Sequence, residues 1–179
     1  QGLKMLKRMI GAALLRTSVY EEVEHDTNAT LQAALVVVVV SIATAFGGYL
    51  TFGGNIIWAL ASGIILGVVQ WAVWAFITYV VGTKIFNTEN THADWGQMAR
   101  GTAFAQTPGV LLVFSFLPGV GPIIGMLAGI WKLVAMTVAV KQVLDYDSIW
   151  RAVGVVIVGL LVVLVPLFII VMMVGVPTQ

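Results

Sequence analysis

The chain has 179 residues, of which 60% are hydrophobic and 9% are charged, and its net charge is +1. Soluble domains carry about a quarter charged residues, and a soluble globule of this length could not bury so much apolar surface. The composition therefore excludes a soluble enzyme, and nucleic acid is not expected as a partner because there is no concentrated basic face. The chain contains no cysteine, which excludes disulfides, thiolate metal sites and a thiol nucleophile.

Residues 1–28 are predicted to form a cytoplasmic segment that is first amphipathic and then acidic. Apolar residues recur at helical spacing over 3–14, and the basic residues Lys4, Lys7 and Arg8 lie mostly elsewhere on the helical wheel. This pattern predicts a helix on the membrane surface whose basic face meets anionic headgroups.

The acidic stretch 21–26 contains four carboxylates and His25. Some of these side chains share a helix face, so metal binding is one possibility, but a solvated acidic helix is the favoured interpretation. No metal and no other cofactor is expected. The chain opens with Gln1 rather than Met, and further residues are expected upstream.

Five apolar stretches follow, each long enough for a transmembrane helix. They predict an all-α integral membrane bundle of five helices, preceded by the N-terminal surface helix, in a domain spanning residues 29–175. The predicted spans cover approximately 30–50, 56–82, 98–117, 123–142 and 152–174. Pro108 interrupts the third stretch and predicts a kink or the start of a new helix there.

The charged residues predict the orientation of the bundle. All acidic residues and every basic residue except Lys132 lie before the first span, between the second and third, or between the fourth and fifth. Basic loops face the cytoplasm. The N-terminus is therefore expected in the cytoplasm and the C-terminal tail on the outer side of a bacterial inner membrane.

Few residues inside the spans could support chemistry. The two histidines, His25 and His92, lie in the polar segments, so haem or chlorophyll has no obvious ligand. No span contains a carboxylate of the kind that proton and sodium carriers hold at depth. The chain is therefore expected not to be an enzyme.

Lys132 is the one charged residue deep within a span. It lies nine residues before Lys141, which is about 14 Å along a helix and near the middle of a hydrocarbon core about 30 Å thick. An ammonium there costs at least about 2.5–3.5 kcal/mol. Either the side chain snorkels or bonds polar groups such as Gln70 or Gln106, or it pairs with a carboxylate, lipid phosphate or cofactor of a partner.

Small residues spaced four apart form stripes along three of the spans. The first stripe contains Ala59, Gly63 and Gly67, the second contains Gly121, Gly125 and Gly129, and the third contains Gly101, Ala105 and Gly109. Such stripes let helix backbones approach closely in lipid. They indicate either packing within the bundle or docking to a neighbouring membrane protein.

Three segments resemble bacterial members of the Yip domain family. They are the stretch Leu14–Asp26, the stretch Phe104–Leu112 around Pro108, and the stretch from Gly121 to Leu144. The resemblance implies a five-span α-helical fold with a cytoplasmic N-terminus. Eukaryotic relatives interact with Rab-type small GTPases in vesicle traffic, but the resemblance transfers neither Rab binding nor a catalytic residue to this chain.

The expected function is that of a non-catalytic interaction or scaffold subunit whose partners are membrane lipids and other integral membrane proteins. One alternative is an accessory subunit of a larger respiratory or photosynthetic complex. Another is a lipid or small-molecule transporter, with the break at Pro108 and the turn 118–122 as irregular elements of the kind that mark transport sites.

Overall fold

The computed structural model describes residues 2–174, apart from the side chains at 167, 170, 171, 173 and 174, and it is helical throughout this range apart from short turns and loops. The predicted all-helical membrane fold is thereby confirmed. Its helices are α1 Gly2–Ala13, α2 Thr17–His25, α3 Ala29–Phe52, α4 Ile56–Lys84, α5 Trp95–Ala105, a 3₁₀ helix Thr107–Phe114, α6 Gly121–Val143 and α7 Ile149–Val174. The predicted outer tail, residues 175–179, lies outside the described residues.

Within the described part of the chain, four helices are long and apolar enough to cross a membrane: α3, α4, α6 and the stretch Ile149–Pro166 of α7. The third predicted span, 98–117, is instead divided between α5 and the 3₁₀ helix. Eleven α-helical and eight 3₁₀ residues rise about 16 Å each. Together they match the hydrocarbon thickness of about 30 Å.

The two halves of this broken span lie at opposite ends of the bundle. Gly101 in α5 packs against Val143 near the end of α6, whereas the backbone at Leu112 in the 3₁₀ helix packs against Gly47 near the end of α3. The broken segment therefore crosses the bundle as a fifth span. It is positioned by the whole helices on either side of it.

Pro108 explains where the α-helix stops. Proline has no backbone N–H and its ring clashes with the preceding helical turn, so the α-helical pattern ends at Ala105. The N–H of Gly109 then donates to the carbonyl of Gln106 at 2.8 Å, which is the shorter 3₁₀ spacing. The break places Gln106 at the junction of the two halves.

The N-terminal helix α1 has the amphipathic character that the sequence predicts. Its large apolar side chains are exposed in the isolated chain, which leaves them free to meet lipid; they are Leu3, Leu6, Ile10 and Leu14. The indole N–H of Trp131 donates to the carbonyl of Ala13 at 2.7 Å. Because Trp131 lies in the middle of α6, the end of α1 reaches well below the bilayer surface.

The prediction that the basic face of α1 meets headgroups is wrong for Arg8. This side chain is only 2% exposed, and its Nη2 lies 2.7 Å from Glu22 Oε1 and 2.5 Å from Asp26 Oδ2. Lys4 also pairs with these two carboxylates. The acidic helix α2 packs beside α1 and neutralises its basic side, a pairing that helical periodicity within one segment does not reveal.

Candidate functional site

A cavity of about 320 Å³ surrounds Lys132 in the middle of the bundle. It is lined by three residues of α4, by Gln106 at the break in the third span, by four residues of α6 and by one of α7: Gln70, Trp71, Trp74, Gln106, Gly129, Lys132, Leu133, Met136 and Leu160. We refer to it as the Lys132 cavity. Each of these positions lies near the middle of its span, so the cavity lies near the bilayer midplane.

The polar groups of the Lys132 cavity come from three different elements. Lys132 itself is half-buried, Gln106 is 9% exposed, and Gln70 is exposed at the cavity mouth. The structure thus brings together Lys132 and the two glutamines that the sequence indicated as its polar neighbours. No carboxylate of this chain reaches them, because all eight acidic residues lie in 21–26, 89–94 and 145–147.

The two tryptophans of the cavity have different hydrogen-bond states. The indole N–H of Trp71 donates to the carbonyl of Ala99 at 3.1 Å. That of Trp74 is buried and has no acceptor among the described residues. Buried N–H groups nearly always have a partner, so the unpaired donor of Trp74 is an exception among the described residues. The sequence does not single out this residue.

Among the described side chains of α7, packing against the bundle ends at Leu160, which lines the Lys132 cavity. Ala152, Val155 and Gly159 are buried, whereas every residue from Leu161 to Pro166 is exposed. In the same way, the α4 residues Ile65, Leu66 and Val69 face away from the rest of the chain. The Lys132 cavity therefore lies where the packed part of α7 ends and beside an exposed face of α4.

The glycines of the first predicted stripe lie outside the Lys132 cavity. Methyl groups added at Gly63 and Gly67 would overlap Ala45 and Ser41 of α3, so both glycines allow close approach of α3 and α4. The contact is intramolecular, which is the first of the two interpretations of such a stripe.

The second stripe is divided among three environments. Gly121 lies against the backbone of Ser115 in the turn before α6, and Gly125 has only an ordinary contact with Leu112. A methyl group added at Gly129 would have no atom within 4 Å, and this glycine lines the Lys132 cavity. Pro108 is buried in the 3₁₀ helix, two residues after Gln106, and does not line the cavity.

The charged residues form a second feature at one end of the bundle. The Arg100 Nε donates to the carbonyl of Val23 at 2.9 Å, and its Nη2 donates to that of Glu24. Tyr146 donates to the carbonyl of Gly82 at 2.9 Å. These bonds fix α2 and the loop after α6 over the charged end of the bundle, a role of Arg100 and Glu24 that the sequence did not indicate.

At this end of the bundle, burial raises the pKa of Glu24 and ion pairing lowers the pKa of Asp26. Burial, reinforced by Asp145 and Glu21 and opposed by His25 and Arg100, raises the pKa of Glu24 to about 7. The hydrogen bond from Arg8 lowers the pKa of Asp26 to about 2. A polar cavity of about 500 Å³ beside them is lined by His92, Lys141, Asp145 and neighbouring residues.

The Yip1 domain model matches residues 14–170, which is nearly the whole described chain. The chain belongs to the Yip1 domain family. The resemblance seen in the three sequence segments is thereby confirmed, and the apolar helices make this Yip1 domain protein a membrane protein. Neither the curated proteins nor the solved structures contain a match to it.

Proposed function

We propose that this Yip1 domain protein is a non-catalytic interaction subunit of the bacterial inner membrane that engages another membrane component at the Lys132 cavity. The observation that carries the proposal is a lone amine at mid-bilayer depth beside an indole N–H without an acceptor among the described residues. A cation buried in lipid needs an anionic or polar partner, and the chain has no carboxylate at that depth. The counter-group therefore comes from a second molecule.

The chemistry of the spans supports a role in binding rather than catalysis. His25 lies at the end of α2 and His92 in the loop before α5, both outside the spans. The exposed part of α7 after Leu160 leaves apolar helix surface free for a neighbour in the membrane, as expected of an accessory subunit in a larger respiratory or photosynthetic complex as well as of a scaffold.

The proposed orientation places the charged end in the cytoplasm. Lys84, Arg100, Lys141 and Arg151 lie at this end, and basic residues flanking spans favour the cytoplasmic side. The N-terminus is then cytoplasmic, and α7 carries the chain to the outer side. The turn at 53–55 between α3 and α4 faces outward and has no charged side chain.

The Lys132→Met variant tests the proposal because it keeps the length and apolarity of the side chain and removes the charge. We expect the variant to insert at normal yield and to lose a component that co-purifies with the wild type in mild detergent, as measured by mass spectrometry of bound lipids and proteins. The Lys84→Met variant, which removes an exposed amine at the charged end, is the matched control and should keep that component. An unchanged set of bound components in Lys132→Met would contradict the proposal.

A transporter for lipids or small molecules is the second candidate function. It is favoured by the broken span, since Gln106 at the break lines the Lys132 cavity and broken helices mark binding sites in transporters. Movement of a substrate by the purified monomer in liposomes, lost in Lys132→Met, would support this function instead of a scaffold role.

A further inference from the structure

We infer, on the basis of the proposed function, that the Lys132 cavity binds the carboxylate head of a single-chain lipid of the fatty-acid type. The carboxylate of this lipid supplies the counter-group to Lys132.

The polar groups of the cavity are suited to an anion. Lys132 offers three N–H donors, and the side-chain amides of Gln70 and Gln106, which line the same cavity, offer two each. Gln106 is nine-tenths buried, so its amide is held in place by the surrounding helices. A carboxylate accepts about four hydrogen bonds, enough to take at least one from each of Lys132, Gln70 and Gln106.

The charge of the site selects a monoanion. Lys132 is the single cation lining the cavity, whereas phosphate monoesters carry a charge between about −1.5 and −2 at pH 7 and are usually held by arginine or by several cations. A carboxylate carries one negative charge and balances one ammonium.

The depth of the site excludes the headgroup of an ordinary phospholipid. That headgroup lies at the bilayer surface, about 15 Å from the midplane of a core about 30 Å thick, and its two chains hold it there. The head of a single-chain acid has no such restraint, because the acid enters hydrocarbon in its uncharged form and avoids the cost of desolvating an ion.

The same depth excludes a second copy of this chain as the source of the anion. All eight acidic residues lie at the charged end, so no span of a second copy brings a carboxylate to Lys132. A helix of another protein would have to bury its own carboxylate at the midplane, which membrane insertion disfavours.

The apolar part of the site accommodates an acyl chain. Leu133, Met136 and Leu160 line the cavity, and a continuous run of exposed α7 side chains begins directly after it at Leu161. A chain whose carboxylate lies at Lys132 can therefore leave the cavity along α7 and mix with the surrounding lipid.

The test is a titration of the delipidated full chain in mild detergent with oleic acid, with bound lipid counted by native mass spectrometry. We expect one oleate per wild-type chain, at least tenfold weaker binding by Lys132→Met, and unchanged binding by the control Lys84→Met. Oleyl alcohol, which has the same chain and no carboxylate, should bind at least tenfold more weakly than oleate to the wild type. Lys132→Arg keeps the charge and should retain oleate, which separates loss of the site from loss of the fold.

The outcomes separate this inference from the proposed function. Equal binding of oleate to the wild type and Lys132→Met, or equal binding of oleate and oleyl alcohol, would overturn the inference. If oleate does not bind but a membrane protein or phosphatidylglycerol is retained in a Lys132-dependent manner, the inference is wrong and the proposed function stands. If nothing bound depends on Lys132, both are wrong.

Discussion

Arg100 and Glu24 join the N-terminal segment to the broken span. The Arg100 guanidinium bonds backbone carbonyls at the end of α2 rather than the carboxylate of Glu24. A cation at this position satisfies carbonyls that the helix leaves unpaired and interacts favourably with the helix dipole. Glu24 is 3% exposed and its Oε2 has no hydrogen-bond donor among the described residues. This explains why burial is the largest cause of its raised pKa.

Glu24 is expected to make stability depend on pH. Its pKa is 4.5 in the reference state and about 7 in the fold, so the folded protein binds more protons than the unfolded chain between these values. The free energy of unfolding should therefore fall as the pH rises from about 4.5 to about 7, by up to about 3 kcal/mol at 1.36 kcal/mol per pKa unit. Thermal unfolding in detergent between pH 5 and pH 8 measures this change.

The Glu24→Gln variant should flatten this pH profile, because the amide has nearly the same shape and does not ionise. Glu89→Gln, in the exposed loop between α4 and α5, is the matched control and should keep the wild-type profile. If Glu24→Gln showed the same fall in melting temperature as the wild type, Glu24 would not be the titrating group.

Among the helices, the division of the third span has the clearest consequence for the Lys132 cavity. Gln106 lies between the end of α5 and the start of the 3₁₀ helix, and it lines the Lys132 cavity. The sequence shows the proline, but it does not show which side chain near the break lines the cavity. That depends on how α5 and the 3₁₀ helix pack against α3, α4 and α6.

The close packing of α3 and α4 gives a prediction for Gly67. A methyl group there would overlap Oγ of Ser41, so Gly67→Ala should destabilise the protein by about 1–3 kcal/mol, the usual cost of overpacking. Ser41→Ala in the same chain should recover part of the loss because it removes the oxygen. Thermal unfolding of the two single variants and the double variant measures the coupling.

Gly48→Ala is the control for this experiment. It lies on α3 with no atom within 4 Å of a methyl group built there, and alanine is a better helix former than glycine. The variant should be at least as stable as the wild type. Equal stability of Gly67→Ala and Gly48→Ala would show that α3 and α4 are not in close contact at Ser41.

For the molecule as a whole, the charge distribution predicts how the chain lies in the membrane. A cysteine placed at Gly54 in the turn after α3 should react with an impermeant thiol reagent from outside whole cells, after any outer membrane is made permeable. Cysteines placed at Glu89 and Asp147, at the charged end, should not react. Because the chain has no native cysteine, the label reports only the introduced position.

The reagent should label Glu89→Cys and Asp147→Cys once the cells are lysed, which shows that both positions are accessible from their own side. Labelling at Glu89 in intact cells would reverse the orientation and move the charged end, with its cavity at His92 and Asp145, to the outer side.

Part of the candidate site could be predicted from the sequence. Lys132 is identified by its isolation among apolar residues, and Gln70 and Gln106 stand out as polar residues at similar depth in other spans. Trp74 could not be identified in this way, since an indole N–H becomes significant only when burial removes every acceptor. The same limit applies to Arg8, whose partners Glu22 and Asp26 belong to a different helix.

Composition and the order of residues are enough to predict an all-helical membrane protein. A chain with 60% hydrophobic residues, arranged in stretches of about 20, cannot bury its apolar surface as a soluble fold. They also place the acidic residues and nearly all the basic ones at one end. Three features emerge only in the folded bundle: the described side chains of α7 pack against it no further than Leu160, Gln106 lines a cavity at the broken span, and α2 neutralises the basic side of α1. These features depend on contacts between segments distant in the chain, and the apolar pattern of a span does not specify which neighbour it meets, since lipid and another helix are equally apolar.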